Sequence, residues 1–169
     1  RKASPNICKF WREAEAAAKM AIQDRRTVKL RNGIAFSYIN RILFIKLLSG
    51  RKLAYYNAKL EQTNKGECIT YEGLDNNKRW GRLDTWGGKL VENIVQATAR
   101  DCLAVTMMRV SELGYQIVMH VHDEIIVDAP RDDKEALDII TAVMAEPMPW
   151  APGLPLRGDG YETDFYKKD

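Results

Sequence analysis

The chain has 169 residues, 46% of them hydrophobic, which is long enough for one domain with a real core and short for a complete multidomain enzyme. Cys8, Cys68 and Cys102 stand far apart with no Cys-x-x-Cys pair. Neither a disulfide framework nor a thiolate zinc site is indicated, and reduced, intracellular thiols are expected. The net charge of +3 hides an asymmetry, with 15 basic against 4 acidic residues from Arg1 to Gly66 and 11 against 19 from Glu67 to Asp169. A basic first part suits phosphate contacts and an acidic second part suits a divalent cation, although such runs also occur as plain solvated faces.

Arg1 to Trp11 has no apolar h-region, and the apolar stretch Ile34 to Leu48 is interrupted by Arg41 and Lys46. No bilayer span is expected, and the chain reads as soluble and cytoplasmic with no membrane partner. Ser4-Pro5 reads as an N-cap with proline at the first helical position. Ile7, Trp11, Ala14, Ala18 and Ile22 then recur at helical spacing, so a helix is expected from Pro5 to Asp24.

Val28 to Leu30 and Ile34 to Tyr38 flank Asn32-Gly33, a dipeptide that accepts the positive φ angles of a tight hairpin turn. Further strands are expected over Ile42 to Leu48, Lys52 to Asn57, Cys68 to Tyr71 and Arg79 to Leu83, with turns at Ser49-Gly50, Asn64-Lys65-Gly66 and Asp75-Asn76-Asn77. Asp84 or Thr85 is expected to cap a long helix whose buried stripe is Val91, Ile94, Val95, Thr98, Cys102 and Val105. Its other face carries Lys89, Asn93, Gln96 and Arg100 in a row able to track phosphates or base edges, or to stand as an ordinary wet face.

Gly114 ends that helix. Tyr115 to Val121 and Glu124 to Ala129 then read as an antiparallel hairpin around His122-Asp123, followed by a last helix from Lys134 to Ala145 capped by Asp133. Pro147, Pro149, Pro152 and Pro155 impose an irregular segment after it.

The hairpin delivers two adjacent carboxylates, Asp123 and Glu124, to a turn where they are held yet reachable. An Asp at a turn with a solvated Glu beside it is the plain alternative. A His-x-His metal pair formed by His120 and His122, two apart on one strand face, is a rival chemistry. These are the chain's 2 histidines, too few for the hydrolases that use such a pair. Carboxylates without cysteine or abundant histidine favour a hard cation, above all Mg²⁺, which takes one or two carboxylates plus substrate phosphates.

Val121-His122-Asp123-Glu124 resembles motif C of family A (polymerase I type) DNA polymerases. Gln96-Ala97-Thr98-Ala99-Arg100-Asp101 is similar to that family's Gln-containing palm helix, and Gly87 to Gln96 has the form of phage-type members. Ser49-Gly50-Arg51-Lys52-Leu53 resembles their Ser-Gly-Arg segment, Ser4-Pro5-Asn6-Ile7 with Trp11 resembles the helix leaving the fingers, and Tyr161 to Asp169 resembles their carboxyl terminus. The similarity covers essentially the whole chain, in the family's order.

The resemblance implies an α+β fold: one C-terminal palm portion over residues 1–169, the fingers helix over 1–26 and the palm over 27–169. Its antiparallel palm sheet would include the Tyr115 to Ala129 hairpin and be backed by the long helices. It implies that Asp123 and Glu124 are the catalytic, metal-binding carboxylates of a two-metal Mg²⁺ site. His122 would lie near the primer terminus, and Gln96, Arg100, Asn93, Lys89 and Arg51 would contact DNA. Primer-template DNA and deoxynucleoside triphosphates are the implied partners, in the cytoplasm of a bacterial host.

The sequence departs from the family where the motif A aspartate and the motif B helix would precede Arg1, so the isolated chain is expected to bind metal weakly and not to polymerise. Leu48 stands in place of a proline, and Glu92 where other branches carry asparagine. A nucleic-acid-binding module without catalysis is the alternative, and a relative of single-subunit RNA polymerases a more distant one.

Overall fold

The computed structural model describes residues 4–64 and 66–166. Lys65 of the expected Asn64-Lys65-Gly66 turn, the start of the segment before Ser4 and the end of the Tyr161 to Asp169 segment lie outside the described residues. The fold is α+β, and the boundary between two compact units falls between Thr98 and Ala99.

The first unit opens with helix α1, Pro5–Asp24, which has proline at its start and Arg25 in the left-handed region at its end. Ser4 makes no side-chain capping bond. The helix buries Ala14, Ala17, Ala18, Ala21 and Ile22, while Ile7 is 51% exposed. The packed stripe is therefore mostly alanine, which lets the helix lie close on the sheet beneath it.

That sheet is an antiparallel meander of six strands, β1 (Val28–Lys29), β2 (Ala35–Ile39), β3 (Ile42–Lys46), β4 (Lys52–Thr63), β5 (Gly66–Leu74) and β6 (Trp80–Thr85), paired in sequence order. Asn32-Gly33 and Ser49-Gly50 make equivalent turns. Leu30 N–H donates to Ile34 O and Gly33 N–H to Leu30 O, as Leu47 N–H does to Arg51 O and Gly50 N–H to Leu47 O. In each turn the glycine alone is left-handed, at φ 90 and 91, so these loops are one residue longer than the two-residue turn that Asn-Gly suggests.

The true two-residue turn, with both central φ angles positive, is Asn40-Arg41 (φ 50 and 65), which pairs Ile39 with Ile42. No glycine marks it in the sequence. β5 is longer than expected, and β4 outruns its expected span because Asn57 (φ 49) does not end the strand. It forms part of a bulge between Tyr56 and Lys59, held by Arg82 Nη1 donating to its carbonyl at 2.9 Å.

One face of this sheet closes the core, with Phe36, Leu43, Ile45 and Tyr55 buried against the alanines of α1 and against Leu90, Val91, Ile94 and Ala97. The last four belong to α2 (Gly87–Glu112). The expected caps of α2 fail: Asp84 and Thr85 are the last residues of β6, and Thr85 Oγ1 is buried with no hydrogen-bond partner among the described residues. The first amide of the helix, Gly87 N–H, donates instead to Glu15 Oε2 of α1 at 3.0 Å.

A Cβ on Gly87 would sit 2.0 Å from the Trp11 carbonyl oxygen, so the glycine permits a backbone-to-backbone approach of the two helices. That approach fixes the helix rotation and corrects the expected stripe. Gly87, Leu90, Val91, Ile94 and Ala97 face inward, and Val95 is 57% exposed.

In the second unit α2 buries Asp101, Leu103, Thr106 and Val110, while Cys102 and Val105 are half-buried. The helix ends as expected at Gly114 (φ 91), with Tyr115 N–H donating to Val110 O and Gly114 N–H to Ser111 O. β7 (Gln116–Val121) and β8 (Glu124–Asp128) form a two-stranded sheet of their own, not an extension of the six-stranded one. α3 spans Ala136–Ala145. It starts later than expected because Asp133 does not cap it: its carboxylate accepts from Glu135 N–H and from the Tyr115 hydroxyl at 3.0 Å. No described helix is long and apolar enough to cross a membrane.

Candidate functional site

The β7–β8 hairpin closes through His122 and Asp123, with Val121 paired to Glu124. His122 alone is left-handed there, at φ 52, a conformation that a residue with a Cβ adopts only when its surroundings enforce it. A bulge at Val118, where Ile117 pairs with Val127 and Met119 with Ile126, resets the alternation along β7. His120 consequently shares a face with its partner Ile125, and Glu124 with Val121.

His122, Asp123 and Glu124 are all exposed. Neither carboxylate has an ion-pair or hydrogen-bond partner among the described residues, so both are free to take a ligand. Two exposed, hard oxygen donors in sequence suit Mg²⁺, which retains waters and shares its shell with phosphate oxygens. Among the described residues no group of three or more His, Cys, Asp or Glu side chains comes together to hold an ion unaided.

The His120–His122 pair does not form one strand face, because His122 lies in the turn and not in β7. His120 faces Arg100 of α2 instead. The guanidinium nitrogens lie 3.2 Å from Nδ1 and 3.3 Å from Nε2, and a neutral imidazole accepts through one of these. Arg100, expected among the groups facing DNA, thus ties α2 to the hairpin within the second unit.

In the first unit the expected DNA-facing residues divide. Lys89 and Gln96 are exposed and converge on Glu92, with Lys89 Nζ 3.0 Å from both its oxygens and Gln96 Nε2 donating at 3.3 Å. Asn93 turns inward and donates to the Tyr55 hydroxyl at 2.9 Å. Tyr55 is buried and stacks edge-on with Tyr71 at 4.9 Å. Burial pushes its phenol above the ordinary value, partly opposed by the Asn93 bond. Arg51 donates from Nη2 to the Ala97 carbonyl at 2.7 Å, which ties the β3–β4 turn to α2.

Asn93 and Arg51 are therefore engaged in the architecture, and Lys89 shares its charge with Glu92. The sequence pattern correctly put Lys89 and Gln96 at the surface. It missed the neutralising role of Glu92, which the same helix places at i+3 from Lys89, and it missed the inward turn of Asn93, because a helix wheel does not show what a neighbouring strand offers.

No family model matches the chain. The whole chain aligns over 171 positions at 56% identity with a protein named DNA polymerase from Bacillus phage SP02, of whose length the chain spans 26%. No solved structure matches.

Proposed function

We propose that this chain is the part of a template-directed DNA polymerase that carries a catalytic carboxylate pair, with Asp123 as a ligand of the catalytic Mg²⁺ ions and Glu124 beside it. The observation that carries the reading is the end of the hairpin, where Asp123 in the two-residue turn and Glu124 at the start of β8 are both exposed and have no partner among the described residues. The alignment over the whole chain with a phage protein named DNA polymerase supports it, as does the resemblance to motif C and the palm helix of family A.

In this reading the hairpin holds Asp123 on a rigid turn between paired strands, so the carboxylate is placed before the nucleotide arrives. Bound Mg²⁺ would activate the primer 3′ hydroxyl and neutralise the charge on the leaving pyrophosphate. His122 stands next to that point, and Gln96, exposed on α2, is available to the primer-template duplex. Two adjacent carboxylates from one hairpin make only part of a two-metal clamp, so a further carboxylate source is needed and the isolated chain should not extend a primer.

The test is primer extension by the full-length protein with Mg²⁺ and the four deoxynucleotides. Asp123→Ala should abolish extension, a loss of about a thousandfold or more if the metals rest on it, while duplex binding stays largely intact. Undiminished extension would sink the catalytic reading and leave the non-catalytic nucleic-acid module in its place.

A further inference from the structure

The register of β1 to β4 creates a surface that no single strand announces. Lys29 pairs with Ala35, Ala35 with Lys46, and Lys46 with Lys52, so one row across four strands reads Lys, Ala, Lys, Lys. The next row on the same face reads Ser37, Phe44, Ala54. This is the face opposite Phe36, Leu43, Ile45 and Tyr55, which α1 and α2 cover. All three lysines are exposed, and Phe44 is half-exposed between two small neighbours.

The charge on this face is uncompensated. β1, β2 and β3 contain no acidic residue, and β4 has none before Glu61. None of the three lysines has an acidic partner among the described residues. Lys46 and Lys52 stand directly opposite each other on neighbouring strands, about 5 Å apart at the backbone, an arrangement that costs stability when both are charged. Edge protection does not account for them, since β3 and β4 are interior strands of the sheet. Lys52 Nζ rests 5.7 Å from the centre of the Phe44 ring and covers it in the absence of another partner.

A row of cations without acidic partners beside a half-exposed aromatic ring matches one kind of partner, a flexible polyanion with flat apolar groups along it. We propose that this outer face of the β1–β4 sheet binds single-stranded nucleic acid, with phosphates on Lys29, Lys46 and Lys52 and a base on the Phe44 ring once Lys52 swings to a phosphate. The proposal stands whether or not the polymerase reading does, because it requires binding alone.

The test is fluorescence anisotropy of a labelled oligothymidylate titrated with the 169-residue chain over a range of salt concentrations. Lys29→Gln, Lys46→Gln and Lys52→Gln together should weaken binding at least tenfold at low salt and flatten the log–log salt slope by about 2, at roughly 0.7 per phosphate on single strands. Removing three positive charges elsewhere, through Lys9→Gln, Lys78→Gln and Arg79→Gln, should do much less. Phe44→Leu should weaken binding of oligothymidylate by about tenfold while leaving an abasic oligomer of equal length unaffected.

Lys52→Gln alone provides a folding control, since relieving the repulsion from Lys46 should hold or raise the melting temperature. The proposal is overturned if the wild-type chain does not bind the oligomer at low salt, or if the control substitutions weaken binding equally. It is also overturned if duplex or anionic lipid vesicles are bound in preference to the single strand.

Discussion

Glu15 of α1 accepts the first amide of α2, with its Oε2 3.0 Å from Gly87 N. A carboxylate from one helix thus does for another what a capping side chain normally does for its own, and it places negative charge at the positive end of the α2 dipole. Glu15→Ala should lower stability by about 1 kcal/mol. Glu15→Gln should lose less, since its amide oxygen still accepts. Urea denaturation at neutral pH distinguishes the two, and an unchanged midpoint for Glu15→Ala would show that water caps the helix equally well.

Gly87 is required by the same contact. The added Cβ of Gly87→Ala meets the Trp11 carbonyl oxygen at 2.0 Å and its carbon at 2.7 Å, both backbone atoms that cannot turn aside. A loss of about 2 kcal/mol or more is expected. Gly81→Ala, where nothing lies within 4 Å, serves as the control and should be close to neutral. Equal melting temperatures for the two variants would contradict the close helix approach.

Tyr55 ties stability to alkaline pH. Burial raises its phenol above the ordinary tyrosine value, the Asn93 bond lowers it in part, and Tyr71 raises it further. The folded chain therefore keeps the Tyr55 proton at a pH where the unfolded chain has released it. This contribution is fully present below the unfolded value near 10 and is lost as pH rises through the higher folded value. Denaturation midpoints should fall more steeply above about pH 10 for the wild type than for Tyr55→Phe. Parallel curves would remove Tyr55 as the cause.

His122 should trade stability against function. Its left-handed φ of 52 suits glycine, so His122→Gly should stabilise the hairpin by about 1 kcal/mol. If the imidazole stands by the primer terminus, the same change in the full-length protein should weaken primer use while Asp123 stays in place. A variant that is more stable and fully active would make His122 a turn residue only.

Much of the chain was legible along its length. Pro5 to Asp24 reads as a helix from proline and alanine spacing, Gly114 as its successor's stop, and the carboxylate pair as a hairpin tip, because each depends on residues within a turn or two of one another. These local signals fix the element types, the α+β class and the location of Asp123 and Glu124.

What the sequence could not decide lay between elements. Asn40-Arg41 turns without a glycine, Asn57 bulges where a strand was expected to stop, Asn93 faces inward, and Arg51 bonds back to the Ala97 carbonyl. In each case the outcome depends on a partner distant in the chain, such as Ala58 N–H on the Arg41 carbonyl or Tyr55 under Asn93. The rotation of α2 was set by two backbones meeting at Gly87, which an apolar pattern weighted by side-chain size cannot register. The lysine row across β1 to β4 exists only through strand register: pairing converts three scattered charges into one surface, and a shift of one residue would send each to the other face.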